Sequence, residues 1–330
     1  MTRLSLKLPH LAAGVAAFTA ALILSSTDLS FTHAASAQAG RTIKIVVPLA
    51  PGGAASVLAR LLADEVSRTQ GVTMVVENRP GAGTVIGTEA VSRAAPDGNT
   101  FLVTQTSLLT NALLRKQNYD PLTSFEPVCK LVDTPSFITV SSESPYRTLA
   151  DFVAAARAKP GELTLAGFSE REANVAFLDF TQRAGVNITF VAYPGSAPAV
   201  TALLGGHITS MMDNYATVAE HVNSGKLRVL ATFFPRRVEA LGHIPTTVES
   251  GYNVFESWFG LFAPAKVPSA TISQLINWTT AAMQLPDVKR KLEPLGLYPT
   301  KMCGANFAAL LHKQYEEWGR VIREAKIKAQ

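Results

Sequence analysis

The stretch Ile43-Lys44-Ile45-Val46-Val47-Pro48-Leu49-Ala50-Pro51-Gly52-Gly53 decides how this chain is read. A short apolar strand runs into a Pro/Gly loop. From Ala54 to Arg68, Val57, Leu58, Leu61, Leu62 and Val66 then fall on one stripe of a helix that Gly71 stops. In open α/β sheets such strand-to-helix loops lie at the carboxyl ends of the strands, where ligands bind. The loop N–H groups and the helix N-terminus suit an anion. An ordinary strand-to-helix connection reads the same from these residues alone.

The pattern repeats outward from this unit. Val72 to Val76 reads as a strand, Pro80-Gly81-Ala82-Gly83 as a break, and Thr84 to Ala95 as a helix. Phe101 to Thr104 is a third strand, followed by the polar tip Gln105-Thr106-Ser107 and a helix to Arg115. Strands alternating with helices imply a parallel sheet. Phe125 to Val132 and Ser136 to Ser141 are extended apolar runs that suit a link to a second lobe. That lobe opens at Thr148-Leu149-Ala150-Asp151, close to a capping box. Strands at 163–166, 188–193, 210–213 and 226–232 alternate with helices after it. Trp258 to Ala263 reads as a return crossing, and the tail is helical at 269–284, 287–295 and 305–328. No internal repeat or low-complexity segment is visible.

The first residues form a targeting segment. Arg3 and Lys7 precede an apolar run, Leu11 to Leu24, too short for a comfortable membrane span. Small residues then allow cleavage near Ala37 or Ala39. An N-terminal anchor is the competing reading. No later stretch reaches roughly 18 uninterrupted apolar residues, so a soluble mature protein is expected. The chain has 330 residues. The remaining part, about 290, suits two lobes better than one core. Setting aside Arg3, Lys7 and Asp28 leaves 28 basic and 24 acidic residues, a formal charge of +4. No basic run or aromatic-interleaved patch points to nucleic acid. Cys129 and Cys303 are the only cysteines. Their spacing says nothing of a bond, and two free thiols are expected.

The motifs of common enzyme chemistry are missing. The histidines outside the leader, His207, His221, His243 and His312, have no metal-ligand spacing. There is no G-x-S-x-G elbow and no Walker A sequence. Gly81 to Gly87 is one residue off the dinucleotide fingerprint. Glu170-Arg171-Glu172 reads first as a solvated helix start. What remains is a set of loop tips rich in Gly, Ser, Thr and Pro, at 50–53, 81–84, 105–107, 167–169 and 193–197. They offer backbone and hydroxyl donors and no nucleophile–base pair, an inventory that holds a carboxylate better than it transforms one. Asp213-Asn214 adds a polar pair at a strand end, where Asn214 also suits a turn.

The same residues carry a family likeness. The loop 45–53 resembles the substrate-binding proteins of tripartite tricarboxylate transporters, also called Bug receptors. So do Val76-Glu77-Asn78-Arg79-Pro80-Gly81-Ala82-Gly83, Ala95-Pro96-Asp97-Gly98, Tyr119-Asp120-Pro121, Tyr193-Pro194-Gly195-Ser196-Ala197-Pro198-Ala199, Leu204-Gly205-Gly206-His207, Met212-Asp213-Asn214, Gly225-Lys226-Leu227-Arg228 and Trp258-Phe259-Gly260-Leu261-Phe262-Ala263-Pro264. The resemblance implies an α/β, two-lobed periplasmic binding protein fold, each lobe a mostly parallel sheet flanked by helices, with the ligand cleft between them. The expected layout is a removed signal peptide at 1–39, a first lobe at 40–138 and 263–330, and a second lobe at 139–262. The implied function is an extracytoplasmic receptor, not an enzyme, that binds a small organic carboxylate and delivers it to membrane permease subunits. No cofactor, metal or nucleic acid is expected, and the protein should be a monomer. A sensor signalling to a membrane kinase, or a periplasmic enzyme on the same scaffold, are the alternatives.

The expected ligand set is Ala50, Pro51, Gly52, Gly53, Ser56, Gly83, Thr84, Thr106, Ser107, Ser169, Arg171, Tyr193, Gly195, Ser196, Ala197, Asp213 and Asn214. Two places depart from the family pattern. Ser56 stands where the family commonly has Asp. Phe168-Ser169-Glu170-Arg171-Glu172-Ala173-Asn174-Val175 replaces a Gly/Ser-rich stretch that often ends in His. Arg171 would pair with a ligand carboxylate or, favoured by its neighbours, with Glu170 or Glu172.

Overall fold

The structure, a computed structural model, describes residues 40–167, 172–193, 195–238, 241–252 and 256–324. The segment 1–39, expected to be a signal peptide, and Ser169, Arg171 and Pro194 lie outside the described residues.

The opening stretch folds as read. β1 (Thr42–Val47) leads through the Pro/Gly loop into α1 (Ala54–Gln70). Ile43, Ile45, Val46 and Val47 are all buried, because β1 is an inner strand covered on both faces. Leu58, Leu62 and Val66 bury the apolar stripe of α1, each worth about 1.5–3 kcal/mol over an exposed position. Gly71, at φ 67°, ends the helix. β2 (Thr73–Asn78), α2 (Val85–Ser92), β3 (Thr100–Gln105), α3 (Ser107–Leu114) and β4 (Phe125–Asp133) follow.

Two residues later the chain enters a second sheet. β5 (Ser136–Ser141), α4 (Leu149–Ala158), β6 (Thr164–Gly167), α5 (Glu172–Ala184), β7 (Thr189–Ala192), α6 (Ser196–Leu204), β8 (Ser210–Asn214), α7 (Tyr215–Asn223) and β9 (Leu227–Phe233) build it. The capping box is present at α4: the Asp151 amide donates to the Thr148 hydroxyl and the Thr148 amide donates to the Asp151 carboxylate. β10 (Trp258–Pro264), α8 (Ser269–Met283), α9 (Pro286–Leu292), β11 (Tyr298–Pro299) and α10 (Ala305–Glu324) then return to the first sheet.

The first sheet has the order β11-β4-β10-β3-β1-β2 and the second β7-β6-β8-β5-β9. In the first, β10 and β11 run against the other four strands. In the second, only β5 is reversed. The segment 258–263 thus does more than cross between lobes: it is an inner strand between β4 and β3. The boundaries expected at 138/139 and 262/263 fall inside β5 and β10. An apolar extended run reads alike whether it crosses between sheets or completes one.

The carboxyl ends of β1 to β4 lie at the edge where the chain leaves for β5, and those of β6 to β9 at the edge where it arrives. The two crossings run side by side: the Thr134 amide donates to the Ser257 carbonyl at 2.9 Å, and their hydroxyls bond at 2.9 Å. Beneath them the buried Lys130 lies 2.7 Å from Asp133 Oδ1 and also pairs with Glu256. The Trp258 indole N–H donates to Gln314 Oε1 at 2.8 Å, and Gln314 Nε2 donates to the Glu256 carbonyl. One apolar cluster, including Leu102, Trp258 and Phe307 with Ile138, Phe180 and Phe233, continues through both lobes, and α10 packs on α5.

The two cysteines are bonded, not free. Cys129 on β4 and Cys303 form a disulfide across 174 residues. The Lys130 amide donates to the Met302 carbonyl and the Gly304 amide to the Val128 carbonyl. This pattern makes Cys129 and Cys303 a non-hydrogen-bonded antiparallel pair, the arrangement that brings opposed side chains closest. A pairing made by strand register leaves no trace in cysteine spacing.

Candidate functional site

Strands β3, β1 and β2 are neighbours, and each ends in a loop that starts a helix at the same edge of the sheet. The three helix N-termini share a second property. None of α1, α2 and α3 has a side-chain cap, and none has an acidic residue in its first turn. Each therefore keeps unsatisfied N–H groups and the positive end of its dipole.

The first loop is shaped from behind. Asn78 Nδ2, at the end of β2, donates to the Leu49 carbonyl at 2.9 Å and to Ser56 Oγ at 2.6 Å. The Ser56 hydroxyl donates to the Ala50 carbonyl at 3.3 Å. Ala50, Pro51, Gly52 and Gly53 are exposed at the loop surface, while Ser56 is buried beneath it. Ser56 thus supports the loop from inside. Gly52 has φ +87°, which a side chain would resist, whereas Gly53, the N-cap residue, has φ −78°.

The second loop is strained. Gly81, Ala82, Gly83 and Thr84 have successive φ values of 136°, 47°, 62° and 82°. The two glycines adopt these freely, but Ala82 and Thr84 each carry roughly 1–2 kcal/mol of left-handed strain. Asn111 on α3 holds the turn: its Nδ2 donates to the Gly83 carbonyl at 2.7 Å and to Thr84 Oγ1 at 3.2 Å. Thr84 Oγ1 also lies 3.0 Å from Ser107 Oγ. The third loop is the single step from β3 into α3. There Thr106 is fully buried, and its hydroxyl, like those of Thr104 and Thr110, has no protein partner.

In the second lobe, Tyr193 and Gly195 follow β7, and Gly195 is the N-cap residue of α6 with no side-chain cap. Ser196 opens α6, and Ala197 is exposed. Asp213, 3% exposed, accepts from the Asn214 amide through Oδ1 at 2.7 Å, while Oδ2 has no geometrically sound partner. Burial pushes its carboxyl above the usual aspartate value, opposed by the Ser196 hydroxyl, the Asn214 amide and the Thr217 hydroxyl. Asn214 caps α7, accepting from the Thr217 amide at 3.2 Å. Gly296 of the first lobe is also close, where a Cβ would sit 3.5 Å from Asn214 Oδ1.

The expected residues therefore divide. Ala50 to Gly53, Gly83, Thr84, Thr106 and Ser107 gather at adjoining helix starts of one sheet edge. Tyr193, Gly195, Ser196, Ala197, Asp213 and Asn214 sit at helix starts of the other. Asn78 and Asn111, which support these loops, are not among the expected residues. The available signal was an amide at a strand end, and an amide at an inner position of an otherwise apolar helix. A cavity of about 410 Å³ lies elsewhere, lined by Asp133, Phe234, Arg236 and Tyr298 among others, and contains none of the expected residues. Among the described residues, no group of three or more metal-ligating side chains occurs, and no helix is long and apolar enough to cross a membrane.

The fold and family of the chain are shown by what it is similar to. The periplasmic binding protein BugD is 30% identical, with a TM-score of 0.70 over 88% of this chain and 99% of that one. A protein of R. palustris solved with adipate is 28% identical, with a TM-score of 0.73 over 87% and 98% of the two chains. MatC from Rhodopseudomonas palustris, with bound malate, is also 28% identical, with a TM-score of 0.68 over 86% and 99%. Residues 58–327 match the tripartite tricarboxylate transporter family receptors. The chain belongs to that receptor family, whose members are solute-binding proteins and not enzymes.

Proposed function

We propose that this protein is a periplasmic receptor that binds a small organic carboxylate between its lobes and delivers it to membrane permease subunits. The observation that carries the reading is the convergence of three uncapped helix N-termini, free of acidic residues, on one sheet edge. Partial positive charge with no side-chain acceptor suits a carboxylate. The Pro51-Gly52-Gly53 loop, Gly83, Thr84, Thr106 and Ser107 hold one end of the ligand in this reading. Tyr193, Gly195, Ser196, Ala197, Asp213 and Asn214 face the other. Adipate and malate in the similar structures support a carboxylate of this size class. In the same reading the lobes divide at the two crossings, 134–135 and just before 258, and the mature protein acts as a monomer after loss of residues 1–39.

The test is a thermal-shift screen of the mature protein against aliphatic, hydroxylated, amino and aromatic carboxylates. A ligand at ~100 times its dissociation constant adds about 2.7 kcal/mol of stability, a shift easily read. A panel in which no carboxylate moves the melting temperature, while a neutral or cationic solute does, overturns the reading.

A further inference from the structure

Resting on the carboxylate reading, we infer that Asn111 is a positioning residue: it locks the 81–84 turn in its left-handed form and so aims the start of α2 at the ligand. Four successive positive φ values are not a conformation that Gly-Ala-Gly-Thr keeps unaided. A β-branched residue at φ +82° is the least willing of the four. Something must hold it, and the holding contacts are in place. Asn111 reaches across from the next helix and donates to the Gly83 carbonyl at 2.7 Å and the Thr84 hydroxyl at 3.2 Å. Ser107 adds a 3.0 Å contact to the same hydroxyl. Asn111, Thr84 and Ser107 are all at least 95% buried, so the bonds that meet at the Thr84 hydroxyl are shielded from water, while the Gly83 carbonyl sits at the exposed rim of the turn.

The placement of the clamp gives it a second consequence. Asn111 and Ser107 lie on α3, and the clamped turn starts α2. The N-termini of two of the three helices that form the anion site are thus tied through one amide. If the clamp is lost, the turn relaxes toward negative φ and the N–H groups at the start of α2 swing away from those of α3. A preorganised donor set then becomes one that the ligand must order at its own expense of affinity.

Isothermal titration with malate and adipate, and hydrogen exchange on the ligand-free protein, test this. In Asn111→Ala, affinity for whichever probe binds should fall about tenfold or more. Amide exchange should accelerate at 81–86 while 49–56 stays as in the wild type. Adding Ala82→Gly, which adopts φ +47° without strain and lies outside the expected ligand set, should restore at least about a third of the lost affinity on a logarithmic scale. If Asn111→Ala does not fold, Asn111→Ser keeps a shorter donor and should show the same pattern at smaller amplitude. An affinity within about twofold of wild type, or exchange rising uniformly across the first lobe, overturns the inference and leaves Asn111 a buried core amide. If the wild type binds no carboxylate, the functional reading fails, while exchange at 81–86 still judges the clamp.

Discussion

The lobes treat their helix starts differently. In the first, α1, α2 and α3 begin with no side-chain acceptor, and the nearby amides of Asn78 and Asn111 hold carbonyls and hydroxyls instead. In the second, α7 is capped by Asn214, and the buried Asp213 carboxylate lies beside Ser196 at the start of α6. A helix start gives its N–H groups to the nearest acceptor. The first lobe leaves its own without a side-chain acceptor, and the second has partly committed them. On the proposed function, recognition of charge belongs to the first lobe, and the second meets the remainder of the ligand. The lobes also differ in continuity. The second is drawn from one run of chain, the first from two runs joined by the Cys129–Cys303 disulfide.

The largest expected effect tests continuity. Replacing both cysteines, Cys129→Ser with Cys303→Ser, should cost roughly 2–5 kcal/mol. All three tryptophans, Trp258, Trp278 and Trp318, lie in the returning segment. Tryptophan fluorescence therefore follows the first lobe, and far-ultraviolet circular dichroism follows both. In urea the fluorescence midpoint should drop further than the dichroism midpoint. Equal shifts would mean that the shared core makes the lobes one cooperative unit.

A subtler substitution addresses charge. Gly53 has an ordinary φ of −78° and room for a Cβ, the nearest atom being the Ala50 carbonyl oxygen at 3.8 Å. Gly53→Asp should cap α1, adding a few tenths of a kcal/mol of stability. It should also lower carboxylate affinity about 100-fold, roughly 2.7 kcal/mol, by occupying the anion site with its own carboxylate. Retained affinity, measured by calorimetry, would remove the start of α1 from the site.

The smallest effect concerns Asp213. Its folded pKa is raised above the ordinary 3.8, so the folded state holds this proton more tightly than the unfolded chain does. Stability contributed by the protonated form is full below the unfolded pKa and is lost as pH rises through the folded value. Asp213→Asn should remove that loss, so the mutant and wild-type melting temperatures diverge as pH increases from about 4. Parallel curves would mean that its neighbours hold Asp213 at an ordinary pKa.

Much of this was legible in the sequence because it is local. The loops at 48–53 and 81–84 announced themselves by Pro and Gly, and the cap at Thr148 by the acid three residues on. What stayed hidden depends on register between distant segments. Nothing in Trp258 to Pro264 distinguishes a crossing from an inner strand, since both are apolar and extended. Cys129 and Cys303 meet only because 300–304 pairs with β4. Ser56 is expected at the ligand only through the family resemblance, which has Asp at that place, whereas its position on the buried side of α1 turns it toward Asn78. Asn111 sits among leucines, and only the fold shows that its amide faces a turn from another βα unit.

The place of β10 carries a consequence for how the molecule is made. It lies between β4 and β3, yet it is synthesised after the entire second lobe. Until it arrives, residues 40–133 hold only a three-stranded fragment, β3-β1-β2, and a separate β4. Both expose open backbone edges, which favour pairing with other chains. Among the described residues, the five strands of the second sheet are complete by residue 233. Maturation should therefore run against chain order: the later-synthesised lobe closes first, and the earlier one waits for a wedge from the tail. A chain truncated before residue 258 should yield an aggregating first lobe beside a folded second one. A chaperone that shields the edges of β3 and β4 would raise the yield of the whole protein without touching the ligand site.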